Sequence, residues 1–380
     1  MEEWKEYKLG EVAIPVRDRI DTSVLDASSY ISTENMLPDK AGVTLSSGIP
    51  SGKAIQFKDG DVLISNIRPY FKKIWRADKV GGCSADVICL RATKEIEPLF
   101  LYYLLSQDLF FDYVMQGAKG TKMPRGDKNQ IMQWPVFLPT KSEQRIIASI
   151  LSALDGKIET NRRINDNLEQ QGQALFEEYV MNPNMPRTQL LSDYALINPT
   201  RTIAKGRAAR CIDMSSLPTK GTFPSDWTFK EYNGGMKFQN GDTIMARITP
   251  CLENGKTAYI NFLDENEVAF GSTEYIVLSA HEGFCSELLY FLARYDDFVS
   301  YAVSHMNGSS GRQRVSGNDI ANYVMPEITN ETMDVISEKL HGIMEVIKNN
   351  SLESRRLAEI RDTLLPRLMS GELKLEGINM

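Results

Sequence analysis

The stretch IASILSALDGKIETNRRINDNLEQQGQAL, residues 147–175, determines how the chain is organised. Its apolar residues step by four and three, which is the spacing of one stripe along a helix that packs against a partner helix. The same stepping returns 189 residues later in ISEKLHGIMEVIKNNSLESRRLAEIRDTL, residues 336–364. The sequence therefore predicts two long helices that pack against each other.

The two stripes form the predicted seam of this helix pair. A whole globule separates them along the chain, so we expect the helices to run antiparallel, with Asn161 and Asn350 close together at the middle. Solvent-facing positions on slightly shifted stripes are the alternative for these two asparagines. Gly172 and Arg361 interrupt the seam at equivalent places. The seam candidates are Leu154, Ile158, Asn161, Leu168 and Leu175 in the first helix and Ile343, Ile347, Asn350, Leu357 and Leu364 in the second.

The repeat extends beyond the helices. FKDGDVLISNIRPY from Phe57 returns as FQNGDTIMARITPC from Phe238, and CSADVICLRA from Cys83 returns as GSTEYIVLSA from Gly271. The predicted fold class is therefore α+β, with two globular domains joined by two long antiparallel coiled-coil helices. The predicted boundaries are residues 1–140 for the first globule, 141–182 for the first long helix, 187–329 for the second globule and 330–370 for the second long helix.

Each globule has the same predicted order of elements. Short apolar runs bounded by turn residues predict strands, including one on each side of a turn at Asp59 and Gly60. One continuous helix follows in each globule, starting near Pro98 and near Ser286. A polar, glycine-containing loop comes after each helix, because such a composition cannot hold a core. In the second long helix, we expect Pro366 to end or kink the helix.

The composition is that of a globular protein without membrane spans. Apolar residues make up 42% of the chain, and no apolar run approaches the roughly 18 residues that a span needs. The amino terminus lacks the charged-then-apolar order of a secretory signal, so we predict a cytoplasmic protein. The five cysteines are widely spaced, which favours free thiols; they are Cys83, Cys89, Cys211, Cys251 and Cys285.

Motifs for catalysis are largely missing from the sequence. The three histidines, His281, His305 and His341, do not lie at metal-ligand spacing from one another or from a cysteine. GIPSGKA at Gly48 and NGKT at Asn254 resemble phosphate-binding loops, but neither has the full pattern. We therefore predict no catalytic, metal or cofactor site in this chain.

The net charge of −7 argues against a generally basic nucleic-acid binder. Basic residues are nevertheless clustered, and a solvated surface is the alternative for any one cluster. The candidate DNA-binding residues form four groups: Lys72, Lys73 and Arg76; Lys119, Lys122, Arg125 and Lys128; Arg201, Lys205, Arg207 and Arg210; and Arg312 with Arg314.

Two of these groups lie in corresponding loops. QGAKGTKMPRGD from Gln116 and NGSSGRQRVSGND from Asn307 both place cations among glycines after the helix of a globule. Glycine lets the backbone approach a phosphate closely, and arginine can form paired hydrogen bonds with the edge of guanine. Two such loops at matching positions favour nucleic-acid binding over a solvated surface.

The whole chain resembles the specificity subunit of type I restriction-modification enzymes. The resemblance rests on the order of two globules and two helices, on GDVLISNIRP and GDTIMARITP, on LSALDGKIETNRR, and above all on the ending LAEIRDTLLPRLMSGEL from Leu357. It implies that each globule is a target-recognition domain that reads one half of a split sequence in double-stranded DNA. Because the loops of the two globules differ, it also implies an asymmetric target.

The same resemblance implies partners and a division of the chemistry. Two methyltransferase subunits would dock on the helices and restriction subunits would join the complex, with S-adenosylmethionine, ATP and magnesium bound by these partners. The chain itself would then have no active site. Two alternatives stay open at this point: a coiled-coil protein-interaction scaffold without DNA readout, and a nuclease whose carboxylates the sequence does not reveal.

Overall fold

The computed structural model describes residues 4–309 and 311–373, which divide into two compact units. The first unit holds the chain up to Gly156 together with the chain from Leu357 onward. The second unit holds Lys157–Arg356. Each unit therefore includes a part of both long helices.

The first unit is built from short strands and helices that precede the first long helix. Its strands are β1 (Lys5–Lys8), β2 (Ala13–Pro15), β3 (Arg19–Asp21), β4 (Tyr30–Ile31), β5 (Lys53–Phe57), β6 (Val62–Ser65), β7 (Ile74–Arg76), β8 (Gly81–Cys83), β9 (Val87–Ala92) and β10 (Pro135–Leu138). Its helices are α1 (Leu9–Val12), α2 (Pro98–Leu105), α3 (Asp108–Gln116) and α4 (Lys128–Ile131), followed by the long helix α5 (Lys141–Tyr179).

Among the described residues of this unit, the strands form sheets in the orders β2–β9–β6–β7, β3–β5–β8–β4 and β1–β10. The central strands β6 and β9 pair antiparallel, with Val62 opposite Leu90. Every residue of β6 is buried. This burial agrees with its continuous apolar run, which is typical of a strand that is covered on both faces.

The second unit repeats this arrangement. Its strands are β11 (Arg187–Leu190), β12 (Ala195–Ile197), β13 (Ala208–Ile212), β14 (Thr228–Glu231), β15 (Lys237–Phe238), β16 (Asp242–Ala246), β17 (Thr257–Tyr259), β18 (Ala269–Gly271), β19 (Tyr275–Ala280) and β20 (Val324–Pro326). Its helices are α6 (Glu287–Arg294), α7 (Asp296–Ser304) and α8 (Gly317–Ala321), followed by the long helix α9 (Asn330–Met369).

The sheets of the two units match at their centres, but in one sheet the outer strand is added on a different edge in each unit. In the second unit the described strands form the orders β12–β19–β16–β17, β14–β13–β18–β15 and β11–β20. Both units contain one parallel pair, β4 with β8 and β13 with β18. However, β3 extends its sheet beside β5 in the first unit, whereas β14 extends its sheet beside β13 in the second. The repeat thus preserves the central strands and changes an outer strand.

The structure corrects the prediction of one continuous helix in each globule. Ser106 and Gln107 separate α2 from α3, and Tyr295 separates α6 from α7. The side chains of Ser106 and Gln107 donate hydrogen bonds to the carbonyls of Tyr102 and Leu104, at 2.7 and 3.1 Å. These bonds satisfy carbonyls of the last turn, so α2 ends although the surrounding sequence stays apolar.

Pro366 does not end the second long helix, because α9 continues through it to Met369, close to the predicted bound of residue 370. Proline leaves the carbonyl of Asp362 without its helical donor and crowds it with the ring, so the last turn needs support from tertiary packing. Leu365, Leu368 and Met369 are buried in the core of the first unit. Their burial stabilises the turn that the proline weakens.

Both long helices contribute to the cores of the units. A fully buried aliphatic or aromatic side chain contributes about 1.5–3 kcal/mol, so the helices stabilise the units that they join. In the first unit the buried helical residues include Ile147, Leu151, Leu365 and Leu368. In the second they include Phe176, Ile336, Leu340, Met344 and Ile347.

The seam candidates differ in their surroundings. Asn161 is fully buried, and its side chain lies against the backbone carbonyl of Asn350. Leu154, Ile158 and Leu357 are half buried but lie outside the hydrophobic clusters of the described residues. Most of the others pack on unit cores: Leu168, Leu175, Ile343 and Ile347 in the second unit and Leu364 in the first.

Gly172 is a point of close approach as well as an interruption of the seam. A Cβ atom at this position would overlap the ring of Phe291 in α6. Glycine in a helix interior costs about 1 kcal/mol relative to alanine, and here it makes room for a fully buried aromatic side chain. The seam interruption therefore has a packing reason in the second unit.

Candidate nucleic-acid interface

Two polar loops occupy corresponding places in the units. The first loop, residues 117–127, lies between α3 and α4, and the second loop, residues 305–316, lies between α7 and α8. Mutual backbone hydrogen bonds close each loop: Lys119 with Arg125 and Asn307 with Arg314, all at 2.9 Å. The loop tips are then residues 120–124 and 308–313, of which Ser310 lies outside the described residues.

The base of each loop docks on the chain that follows a central strand, β6 or β16. Ile67 forms a β-bridge with Arg125, and Ile248 forms the corresponding bridge with Arg314. Further backbone hydrogen bonds match between the units: Arg68 N to Pro124 O at 2.8 Å with Thr249 N to Gln313 O at 3.1 Å, and Gly126 N to Asn66 O at 3.2 Å with Val315 N to Arg247 O at 3.0 Å. Both loops are therefore held in the same way, although their tips differ in sequence and length.

An ion pair repeats at each loop base. Arg314 Nε and Nη2 lie 2.8 and 2.7 Å from the carboxylate oxygens of Glu274. In the first unit Arg125 Nη2 lies 3.5 Å from Asp86 Oδ1. The hydrogen bonds from Arg314 hold the pKa of Glu274 below its ordinary value. Arg125 and Arg314 were both DNA-binding candidates, yet each already faces a carboxylate.

The loops also carry cations with fewer internal contacts. Lys122 and Arg312 lie in the tips and are exposed, and no side-chain partner of either occurs among the described residues. Lys119 is exposed beside Asp127, at 3.2 Å. Lys128 is exposed and reaches the carbonyl of Ala85 only at 3.5 Å. Lys122 and Arg312 are therefore the loop cations that a phosphate could approach without displacing an internal partner, since Lys119 is paired and Lys128 already belongs to α4.

The first basic group does not form a free cationic patch. Lys72 pairs with Asp108 at 3.0 Å. Arg76 lies 3.7 Å from Asp59. Lys73 donates to the carbonyl of Thr33 at 2.7 Å, and desolvation lowers its pKa. The assignment of Lys72, Lys73 and Arg76 as DNA contacts therefore stays a prediction, and the neighbouring acceptors do not favour it.

Two members of the third basic group are largely buried against acidic partners, so their assignment as DNA contacts stays a prediction that their surroundings do not favour. Arg201 Nη2 lies 2.6 and 2.7 Å from the two oxygens of Asp242, which is 1% exposed. Arg210 pairs with Glu267 at 3.1 Å, and its guanidinium lies 5.6 Å from the ring centroid of Trp227. By contrast, the two remaining members of the group are exposed. These members are Lys205 and Arg207.

The sequence interpretation missed the acidic partners, although a signal for them was present. Asp86 and Glu274 occupy the same position in the repeated segments CSADVICLRA and GSTEYIVLSA. Asp61 and Asp242 likewise occupy the same position in the repeated GD motifs, and both are buried. An acidic residue that is kept in a repeat whose loops diverge indicates a structural partner for a nearby arginine.

A groove beside α5 in the second unit has the wrong charge for DNA. Its volume is about 440 Å³, and four of its lining residues are acidic, namely Asp166, Glu169, Glu177 and Asp296. Only two lining residues are basic, Lys220 and Arg294. This surface would repel phosphates, so the polar loops remain the candidate interface.

Within the described part of the chain, no group of three or more His, Cys, Asp or Glu side chains could hold a metal ion. No helix of the described residues is long and apolar enough to cross a membrane.

The comparisons with known proteins all match one class of protein, the specificity subunits of type I restriction enzymes. A family model described as the type I restriction modification DNA specificity domain matches residues 1–170. The type I restriction enzyme HindI specificity subunit of Haemophilus influenzae is 22% identical over 98% of this chain and 100% of its own length. The MjaIX specificity subunit of Methanocaldococcus jannaschii is 24% identical over 73% of this chain and 70% of its own.

The fold is similar to that of a solved protein. The crystal structure of the type I restriction-modification system S subunit from M. genitalium aligns with a TM-score of 0.58. The alignment covers 96% of both chains at 16% sequence identity. At this identity the likeness concerns the fold alone, and the agreement extends over both units and both long helices.

Proposed function

We infer that this chain is the specificity subunit of a type I restriction-modification system and that it recognises the DNA target of that system, as its likeness to such subunits supports. The chain is the non-catalytic subunit. Each globule is a target-recognition domain, residues 1–140 and 187–329, and each reads one half of a split DNA sequence.

The observation that carries this proposal is the matched pair of loops. The same backbone bonds hold both loop bases, so each tip projects from an equivalent support. The tips themselves are GTKMP in the first unit and GSSGRQ in the second. Each tip contains one exposed cation, Lys122 or Arg312. A shared support with different tips is what a protein needs if it reads two different half-sequences.

The outer strands support an asymmetric target as well. All four residues of β14 are exposed, including Phe229 at 66%. An apolar side chain of this kind can contact the methyl group of thymine in the major groove. The first unit has β3 on the opposite edge of the corresponding sheet, so the two units present different outer strands.

Charge supports the need for partner subunits. With a net charge of −7, the chain gains little from the general release of counterions that drives DNA binding by basic proteins. We therefore expect weak DNA binding by the isolated chain and specific binding by the complex. Methyltransferase and restriction subunits supply the rest of the positive surface.

The long helices are the proposed docking surface for two methyltransferase subunits. They keep apolar side chains exposed that the cores of the units do not use. The exposed residues are Ile164 in α5 and Val335, Val346, Leu352 and Ile360 in α9. S-adenosylmethionine, ATP and magnesium belong to the partner subunits, which carry out methylation and cleavage in this proposal.

A footprinting experiment tests the proposed function. The full chain and its methyltransferase partner are bound to DNA that was selected from a random pool. We expect two protected segments of different sequence, separated by a spacer whose sequence is free. Protection without any sequence preference, or DNA cleavage or methylation by the chain alone, would contradict the proposal. The methyltransferase subunit alone is the matched control and should protect no specific segment.

A further inference from the structure

We infer that Arg125 and Arg314 are positioning residues that clamp the two polar loops to the sheets, and that the loop tips contact the DNA. This inference rests on the proposed function, because it divides each recognition loop into a fixed base and a reading tip. Both arginines stand at the carboxyl-terminal side of the loop base, directly after the tip. Their position is preserved while the tips share only their first glycine.

Most N–H groups of the Arg314 guanidinium already donate hydrogen bonds within the protein, which leaves few of them free to contact a DNA base. Nε and Nη2 donate to Glu274, and Nη1 donates to the carbonyl of Arg312 at 3.0 Å. Three of the five guanidinium N–H groups thus already donate within the protein. An arginine that recognises guanine uses two N–H groups side by side, and the pair formed by Nε and Nη2 is already taken by Glu274, so only the remaining N–H groups of Nη1 and Nη2 are left for a base.

The carboxylate also opposes a phosphate contact at this place. Glu274 is 25% exposed, and it neutralises the charge of Arg314 locally. A phosphate that approaches the pair would meet a carboxylate as well as a guanidinium, so binding there releases little of the counterion atmosphere. Lys122 and Arg312 have no such neighbour among the described residues, because each projects from its tip.

The clamp differs in strength between the units. The pair of Arg125 with Asp86 is longer, at 3.5 Å, and more exposed, at 57% and 45%, than the pair of Arg314 with Glu274. Exposed ion pairs contribute less than hydrogen-bonded, partly buried ones. Replacement of Arg125 should therefore reduce DNA discrimination less than replacement of Arg314. The two units of the same chain can thus be compared with each other.

Three variants test the clamp in the complete complex with the methyltransferase partner: Arg314→Ala, Arg314→Lys and Glu274→Ala. All three should reduce the ratio of specific to non-specific affinity on the order of tenfold, because they remove charge-assisted hydrogen bonds at the loop base. The salt dependence of binding should stay unchanged. Lysine should not rescue the arginine, since it keeps the charge but cannot form the two-pronged contact. Arg125→Ala should give a smaller loss.

Two outcomes would overturn the inference. One is wild-type discrimination by Arg314→Lys together with a smaller salt dependence in Arg314→Ala, which would identify a phosphate contact. The other comes from hydrogen exchange of the full chain without DNA. In both Arg314 variants the amides of Asn307 and Arg314 should exchange faster than in the wild type, and unchanged exchange contradicts the clamp. A wild-type complex without sequence preference would refute the proposed function, and the exchange measurement would still decide about the clamp.

Discussion

Asn161 in α5 donates a hydrogen bond from its side-chain Nδ2 to the backbone carbonyl of Asn350 in α9, at 3.3 Å. The same Nδ2 lies 2.7 Å from Glu353 Oε2. One turn further along α5, Asn165 Oδ1 accepts from the side chain of Asn350 at 2.9 Å. The contacts move backward along α9 as they move forward along α5, so the helices run antiparallel here and polar side chains set their register.

Replacement of Asn161 tests this register. Asn161→Ala should destabilise the protein by about 1–3 kcal/mol, because the hydrogen bonds from this buried side chain to α9 are lost. Asn161→Leu should recover part of that loss through apolar packing while it weakens the register, as polar seam residues do in helix pairs. Urea unfolding measures both effects. A midpoint for Asn161→Ala equal to that of the wild type would show that these hydrogen bonds do not stabilise the pair.

Gly172 in α5 and Gly342 in α9 are both glycines inside a long helix, but they differ in the space that surrounds them. A Cβ atom at Gly172 would overlap Phe291, whereas nothing lies within 4 Å of a Cβ atom at Gly342. Gly342→Ala should stabilise the protein by about 0.5–1 kcal/mol through helix propensity. Gly172→Ala should destabilise it by about 1–3 kcal/mol through overpacking. Thermal unfolding checks the opposite signs, and stabilisation by both substitutions would disprove the close approach.

Arg201 should act on stability and leave DNA binding to other residues. Arg201→Ala leaves Asp242 buried without its partner, which should cost about 3–5 kcal/mol. Lys205→Ala is the control in the same segment, because Lys205 is exposed and such substitutions change stability by about 0.5 kcal/mol or less. Denaturant unfolding separates the two. A stable Arg201→Ala variant with reduced salt dependence of DNA binding would restore Arg201 as a DNA contact.

The ion pair between Arg314 and Glu274 should also make the stability of the protein depend on pH. Hydrogen bonds from Arg314 lower the pKa of Glu274 below its ordinary value of 4.5. A lowered carboxyl pKa contributes stability that is complete above the unfolded value and is lost as the pH falls through the folded value. The Tm of the wild type should therefore exceed that of Glu274→Gln above about pH 4.5, and the gap should close under more acidic conditions. Glu282→Gln, at an exposed site, should show no such gap.

The tip cations should contribute to the salt dependence of DNA binding. Removal of one cation that neutralises a phosphate lowers the slope of log affinity against log salt by about 0.9. We expect a change of this size for Lys122→Ala and for Arg312→Ala in the complete complex. Lys72→Ala should leave the slope unchanged, because Lys72 is paired with Asp108. Titrations at several salt concentrations measure the slopes, and equal slopes for all variants would exclude the tips as phosphate-binding segments.

The internal repeat made most of the fold predictable. The apolar stripe around Ile147 and its return around Ile336 predict two long helices, and the helices begin at Lys141 and Asn330. Periodicity succeeds there because it depends only on residues within a few turns. It could not predict that α9 continues through Pro366, since that outcome depends on tertiary packing of the last turn.

The candidate site was harder to predict, for a physical reason. Clusters of basic residues mark where cations lie along the chain, but the partner that neutralises a cation is distant in sequence. Arg201 is 41 residues from Asp242, and Arg314 is 40 residues from Glu274. Only the structure brings these pairs together. The loops themselves were identifiable because their glycines and cations recur at matching positions.

The most direct test of the account is selection of bound DNA from a random pool by three complexes with the methyltransferase partner. These contain the wild-type chain, Lys122→Ala or Arg312→Ala. We expect a split asymmetric motif for the wild type, relaxation of one half only by Lys122→Ala, and relaxation of the other half only by Arg312→Ala. Relaxation of the same half by both variants, or a uniform loss of affinity with the motif unchanged, would contradict the claim that each unit reads its own half-sequence.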